Sequence, residues 1–369
     1  MEHIQMVDLQ RQYHNIKGEI DAAIGNVIKS TSFIKGNVVS DFEMELSDFL
    51  NVKNVTTCGN GTDALQIALM AIDVKPGDEI ITTPFTFVAT AEVIALLGAI
   101  PVFVDVYPDT FNIDVEKLEK AITKKTKAII PVHLFGQCVE MDFLLELAKK
   151  NNLYVIEDTA QAIGASYKGK LAGTLGDIGT TSFFPSKNLG CYGDGGALFT
   201  DNDVLSERIK KIANHGQGKR YLYDEIGVNS RLDSIQAAVL EVKLRYLNEY
   251  TNKRQKAAKY YDALLSNSEK LEVPFCNPNS THVYHQYTIK VNKNRNELND
   301  YLLEKNIANA VYYPVPLHLQ KAYKKYGYFK GDFSVAEELS MKVLSLPMHT
   351  ELNQEQLSYI TMSVLEYFK

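Results

Sequence analysis

The 369-residue chain has only four cysteines, Cys58, Cys138, Cys191 and Cys276, widely spaced and with no C-x-x-C pair or Cys/His ligand spacing among them. A disulfide framework and a structural metal are not expected, and the thiols read as reduced and mostly buried. Long hydrophobic runs are also missing. The longest apolar stretches, such as 95–104, contain Gly and Pro and fall short of the ~20 residues a membrane span requires. The N-terminal MEHIQMVDLQRQYHN carries acidic and polar residues where a secretion signal has a basic start and an apolar core. These absences predict a soluble, cytoplasmic protein with no membrane contact. Excess positive charge is absent too: 39 Lys and Arg stand against 45 Asp and Glu, a net charge of −6, with no dense basic stretch. Nucleic acid is excluded as an expected partner.

What remains is an ordinary folded composition, 45% hydrophobic and 23% charged, with 22 Gly and 11 Pro. Disorder and collagen-like repeats are ruled out, and the length suits two domains or one large α/β unit with an appendage. Short β-like runs at 78–82, 101–106, 128–133, 153–157, 179–183 and 197–200 alternate with amphipathic segments at 62–72, 89–97, 115–122 and 141–151. Val and Ile runs that are apolar on both faces imply buried strands, hence a mostly parallel sheet covered by helices on both sides. This is a doubly wound α/β pattern. Beyond Ser230 a helical stretch at 232–265, free of Pro and Gly, leads into a strand at 283–291, a helix at 295–305, a strand at 308–313 and a helix at 334–343. The expected division is a large α/β domain at 1–240 and a smaller C-terminal α+β domain at 241–369.

Three stretches carry chemistry. Cys58-Gly59-Asn60-Gly61-Thr62-Asp63-Ala64-Leu65 runs from a glycine-punctuated loop into a helix. Free N–H groups at a helix start suit a phosphate, although Thr62 as a plain helix cap explains the same residues. The second, Leu153 to Gln161, is a β-like run ending in Glu157 and Asp158. An acid at the carboxyl end of a parallel strand points into a crevice, where Asp158 could hold a metal, a ribose or a protonated ring nitrogen, or simply cap the next turn. The third runs from Thr181 to Gly196 and places Lys187 between an aromatic strand and a loop carrying Gly190, Gly193, Gly195 and Gly196. A partly desolvated lysine has a lowered pKa and can form a Schiff base; a surface lysine is the plainer alternative. Together, a phosphate cradle, a strand-end acid and a lysine 29 residues after it are the parts that pyridoxal 5′-phosphate requires.

With these motifs, the chain resembles the DegT/DnrJ/EryC1/StrS sugar aminotransferases, which have the fold type I architecture of pyridoxal phosphate enzymes. The likeness runs from Val7-Asp8-Leu9 through Asn60–Leu65, Glu157-Asp158, Ser182–Gly196 and Asn229-Ser230-Arg231-Leu232-Asp233 to Tyr313-Pro314-Val315-Pro316-Leu317-His318. It implies that Lys187 holds the cofactor and moves the proton, and that Asp158 pairs with the ring nitrogen. Gln161 would contact the ring hydroxyl, Gly61, Thr62 and Ser182 would cradle the phosphate, and Phe87 would stack on one face of the ring with Ala160 on the other. Asn229 would reach the phosphate of a neighbouring subunit, making a homodimer with shared sites. Lysine at 187, where sugar-dehydrating relatives have histidine, implies transamination.

The resemblance further implies L-glutamate as donor and a nucleotide-linked keto sugar as acceptor. The Ser182–Gly196 text, His215-Gly216-Gln217 and Val228–Arg231 are most similar to the branch that aminates C3 of UDP-2-acetamido-2-deoxy-3-oxo-D-glucuronate. Arg231, Tyr313 and His318 are the expected substrate contacts, with Arg231 a candidate for the uronate carboxylate, for glutamate or for a structural role, and His318 divided between substrate contact and loop packing. Tyr312 stands where that branch carries His, which keeps a dTDP-3-oxo-6-deoxyhexose and a UDP-3-oxo-N-acetylglucosamine open. The expected destination is a cell-surface polysaccharide such as a lipopolysaccharide O-antigen. A non-catalytic sensor built on the same fold is the alternative of another class. His133 and His349 are expected to pack internally, and Lys321, Lys324 and Lys325 to form a solvated face.

Overall fold

The computed structural model describes residues 3–369. Its first strands are β1 (Asn54–Cys58), β2 (Glu79–Thr82), β3 (Ile100–Phe103), β4 (Thr126–Ile129) and β5 (Tyr154–Asp158). A small hairpin, β6 (Ser166–Tyr167) and β7 (Lys170–Leu171), precedes β8 (Ile178–Ser182) and β9 (Gly196–Thr200). Then come a second hairpin, β10 (Gln217–Lys219) with β11 (Leu222–Tyr223), and finally β12 (Leu271–Glu272), β13 (Tyr287–Val291) and β14 (Val343–Leu346).

Seven strands form the central sheet in the order β1-β9-β8-β5-β4-β2-β3. The pairs from β8 to β3 are parallel, and β9 runs antiparallel to both its neighbours. Parallel neighbours need crossover segments, and these place helices on both faces. Alternation along the strands divides the core between those faces: Ile80, Ala128 and Ile156 enter one cluster, while Ile81, Ile129 and Val155 enter the other. Each of these Ile and Val side chains contributes about 1.5–3 kcal/mol on full burial. The mostly parallel α/β sheet is therefore as expected.

Several elements depart from the expectations. Strand β1 was not anticipated because Thr56 and Thr57 look polar, yet both are buried, and the N–H and hydroxyl of Thr57 both donate to Glu43 Oε1, at 2.7 and 2.8 Å. The helices Leu9–Ser30, Asn37–Leu50, Asp203–Ala213 and Gln354–Tyr367 were also unforeseen. In the second of these, Val39, Phe42, Leu46 and Leu50 recur on one buried face. The last is fixed at its start by a capping box between Asn353 and Gln356. The segment at 115–122 is only a 3₁₀ turn, Val115–Lys117, and one α turn, Leu118–Ala121.

The stretch at 232–265 is two helices, Ser234–Leu244 and Leu247–Leu265, separated by a tight turn in which the Tyr246 N–H donates to the Lys243 carbonyl. The expected strand at 308–313 is a single bridge, Ala310 to Ser345, because β14 takes the edge beside β13. Helix Ser334–Lys342 correspondingly ends one residue before the expected limit, where β14 begins. The antiparallel sheet β12-β13-β14 packs its apolar face on Leu298, Leu302, Ile360 and Val364. Ile4 joins this cluster through backbone bonds with Asn306 and Ala308.

All four cysteines are free; Cys58, Cys138 and Cys191 are buried and Cys276 is exposed. Among the described residues no helix is long and apolar enough to cross a membrane, and no cluster of His, Cys, Asp or Glu is placed to hold a metal.

Candidate active site

The carboxyl ends of the parallel strands converge where the loops carrying the three motifs meet. Alternation at the end of β5 sends Glu157 and Asp158 to opposite faces, and they take different tasks. Glu157 is fully buried and accepts from His133 Nε2 (2.8 Å) and from the N–H groups of Gly173, Leu175 and Gly176 (2.9, 2.7 and 2.6 Å). His133 Nδ1 in turn accepts from the Val139 N–H, so its proton sits on Nε2. His133 is thus internal, as expected, and this pair organises the loop after β5.

Asp158 is 5% exposed and faces the crevice. Its Oδ2 accepts from the Thr90 hydroxyl at 2.9 Å and its Oδ1 from the Ala160 N–H at 3.1 Å. Burial raises its pKa, opposed by the Ala160 N–H, the Thr90 hydroxyl and the positive charge of Lys187. A buried carboxylate of this kind gains most from a cation placed against it. The cap of the following turn and the crevice-facing acid turn out to be one residue. Thr90, in the first turn of the helix Ala89–Leu96, was not identified from sequence, although it ends the Phe85–Thr90 phrase that contains Phe87.

The glycine loop leads into helix Gly61–Ala71, and its cap corrects the sequence reading: Asn60, not Thr62, is the N-cap, its Oδ1 accepting from Asp63 N–H at 2.8 Å. The Ala64 N–H goes to the Asn60 carbonyl. The first two helical amides, of Gly61 and Thr62, lie outside the helix's own ladder, and the Thr62 hydroxyl is released from capping. A Cβ at Gly61 would stand 2.6 Å from Ser182 Cβ, and one at Gly196 would stand 2.5 Å from the Asn60 backbone. Only glycine permits the end of β8 and the start of β9 to press against the helix start, which sets Ser182 beside Gly61 and Thr62. Ser230 locks the loop from outside, accepting from the Gly59 N–H (2.8 Å) and donating to Asp63 Oδ2 (2.6 Å).

Lys187 follows β8 in a loop closed at its base by the bond from Cys191 N–H to the Phe183 carbonyl. Its Nζ has no hydrogen bond or ion pair among the described residues. Burial lowers its pKa to about 8, with the Asp158 charge opposing. Asn188 ties the loop to the Val283 carbonyl at 3.0 Å. That contact brings in His285, also missed from sequence: it is 6% exposed, its Nδ1 has no partner, and burial together with the Lys187 and Arg254 charges holds it neutral. His285 sat inside a β-like run, where a histidine reads as one more alternating residue.

Around this centre, Gln161 accepts from the Phe135 N–H (2.8 Å) and donates to the Tyr313 hydroxyl (3.1 Å). Tyr313 packs edge-on against Phe85, and burial raises its pKa, with the Asp158 charge adding to the effect. Phe87 stands 56% exposed, and Ala160 is half-buried. Three expected residues are not gathered here. His318 is 1% exposed, packed edge-on against Phe333 and bonded to Glu337 Oε1 at 3.1 Å, with its Nδ1 lacking a partner among the described residues. Asn229 and Arg231 are exposed. Arg231 instead lines a cavity of about 320 Å³ with Lys35, Glu43, Thr57, Lys210 and Ser230, which neither Lys187 nor Asp158 reaches.

The sequence matches the DegT/DnrJ/EryC1/StrS aminotransferase family over residues 14–365. It is 47% identical over 369 residues to the "Pleiotropic regulatory protein" of Geobacillus stearothermophilus, covering 100% of this chain and 99% of that one. It is also 47% identical over 357 residues to the UDP-2-acetamido-2-deoxy-3-oxo-D-glucuronate aminotransferase of Pseudomonas aeruginosa, covering 97% and 98%. A UDP-N-acetyl-3-dehydro-α-D-glucosamine 3-aminotransferase of Acidithiobacillus ferrooxidans is 43% identical, covering 97% and 96%. The structure superposes on NtdA of Bacillus subtilis, solved with bound PMP, with a TM-score of 0.91 at 32% identity, covering 99% of this chain and 85% of that one. The chain belongs to the DegT/DnrJ/EryC1/StrS aminotransferase family.

Proposed function

We propose that the protein is a pyridoxal phosphate-dependent transaminase that moves an amino group from L-glutamate to C3 of a nucleotide-linked 3-keto sugar, in first place UDP-2-acetamido-2-deoxy-3-oxo-D-glucuronate. One observation carries the reading: a chain 47% identical to an aminotransferase named for that uronate sets a buried, unpaired Lys187 amine across from the buried Asp158 carboxylate. The residues fit the cofactor. A depressed lysine pKa supplies a neutral amine, Asp158 offers an anion to a protonated ring nitrogen, and the helix start with Thr62 and Ser182 offers donors to a phosphate. When bound, pyridoxal phosphate acts as an electron sink for the substrate carbon.

The chain's own residues do the rest. Thr90 and the Ala160 N–H hold Asp158 with one oxygen each, so the carboxylate cannot rotate away from the crevice. Gln161, fixed between Phe135 and Tyr313, presents its amide at one edge of the site, and exposed Phe87 supplies an aromatic face. Lys187 Nζ, free of salt bridging among the described residues, would move the proton between the substrate carbon and the cofactor. We further assign residues 1–240 to cofactor binding and 241–369 to closing the site over the sugar.

The protein works, in this reading, as a homodimer in which Asn229 and Arg231 serve the partner's site. Their exposure here, with that of Tyr221, Leu222, Tyr223 and Ile226 nearby, supports the assignment. Purified protein loaded with cofactor is expected to be yellow and to be bleached by glutamate. A colourless Lys187→Ala variant with unchanged turnover would sink the mechanism. The neutral UDP-3-oxo-N-acetylglucosamine is the second substrate reading, supported by the 43% identical relative. A dTDP-3-oxo-6-deoxyhexose comes third. A protein that holds the cofactor but transfers no amine to any of the three sugars would instead support the sensor reading.

A further inference from the structure

Among the described residues, two buried cations lie beneath the lysine loop without an acid to neutralise them. Lys243, in the last turn of helix Ser234–Leu244, is 1% exposed. Its Nζ donates to the Gly190 carbonyl at 2.5 Å and lies 5.3 Å from the Tyr192 ring centre. Among the described residues no carboxylate pairs with it; burial pushes its ammonium down to about 8, with Cys191 opposing and the Arg254 charge adding to the fall. Arg254, 2% exposed, donates to the carbonyls of Tyr284 (3.0 Å) and Met348 (2.8 Å), while its Nε has no partner. A buried ammonium without a counter-ion costs stability, and a well-packed apolar side chain of the same length is neutral or stabilising in its place. Lys243 is therefore poorly explained as packing.

The bond it makes gives the explanation. Gly190 closes a loop in which the Lys187 N–H donates to the Phe184 carbonyl and the Cys191 N–H to the Phe183 carbonyl, both at 2.8 Å. The Gly190 backbone presses on Pro185, leaving no room for a side chain. Among the described residues three side chains hold the arm after Lys187: Asn188 anchors it sideways to the Val283 carbonyl, Lys243 anchors it from below, and Gln236 Oε1 accepts from the Tyr192 N–H at 2.8 Å. Only the second is a charge-assisted bond, the stronger kind. We propose that Lys243 is a positioning residue for Lys187, its ammonium fixing the loop through the Gly190 carbonyl so that the Lys187 side chain emerges toward Asp158. This rests on the reading of Lys187 as the reacting amine.

The test compares the cofactor-free full chain with its Lys243→Met and Lys243→Arg variants by hydrogen exchange. In Lys243→Met, amides in 183–192 should exchange about tenfold faster, the size of one lost charge-assisted bond, while the rest of the chain and the thermal midpoint hold or improve. Lys243→Arg should restore most of the protection. With cofactor bound, bleaching by saturating glutamate should slow about tenfold in Lys243→Met, with the half-saturating glutamate concentration changed less than about twofold. Unchanged exchange at 183–192, loosening spread evenly over the chain, or a Lys243→Met chain that fails to fold would each overturn the positioning role. If the exchange pattern appears as expected but glutamate bleaches no variant, including the parent, the anchor stands and the transaminase reading falls.

Discussion

At the scale of single residues, the site works by where charge is placed and what is left unpaired. Lys187, with a pKa near 8, is neutral in about a tenth of molecules at pH 7, against a few in ten thousand for an ordinary lysine. Its reactivity toward an amine-labelling reagent in the cofactor-free protein should rise with pH to a midpoint near 8 and then level off. Asp158 raises that pKa, so Asp158→Asn should move the midpoint below 8; a midpoint that stays or rises contradicts the assigned coupling. Thr90→Val removes one of two donors to Asp158 and should cost about 1–2 kcal/mol of anion stabilisation, slowing glutamate bleaching roughly tenfold without unfolding the protein. Lys187, Asp158 and Gly61 were legible because each sits in a dense, ordered phrase. Thr90 and His285 were not: the partner of Thr90, Asp158, lies 68 residues away, His285 feels the Lys187 charge only through the fold, and a lone hydroxyl or imidazole carries no local pattern.

At the scale of elements, the cradle depends on how closely three backbones approach. Gly61→Ala puts a methyl 2.6 Å from Ser182 Cβ, and cofactor affinity should fall at least tenfold. Ser182→Gly relieves the clash but also removes a phosphate donor, so Gly61→Ala should cost less affinity in the Ser182→Gly background than in the parent, a coupling that titration of cofactor absorbance would read. An equal cost in both backgrounds would show that the two elements do not touch as described. The elements most readable in the sequence were the central strands, whose apolar runs announce burial on both faces. Strand β1 escaped because threonines buried at an edge look like a loop. The break at Arg245-Tyr246 escaped because a tight turn between two helices needs neither Pro nor Gly.

At the scale of the whole molecule, Asn229 and Arg231 are exposed on their own chain although they flank buried Ser230 beside the cradle. The proposed shared-site dimer would account for this. Mixing inactive Lys187→Ala with Asn229→Ala protein, after subunit exchange, should recover roughly a quarter of normal activity, since half the dimers then carry one intact site. No recovery would place Asn229 in its own subunit's site. The sugar itself is the least legible feature, because the expected contacts do not converge: Tyr313 is bonded to Gln161 while Arg231 lines a separate cavity. The most direct measurement supplies the loaded enzyme with nitrogen-labelled glutamate and UDP-2-acetamido-2-deoxy-3-oxo-D-glucuronate and follows the label by mass spectrometry. The label should appear on C3 of the uronate, in parent protein and not in Lys187→Ala. Label that stays on glutamate, or that enters only a neutral sugar, would contradict the proposed reaction or its substrate.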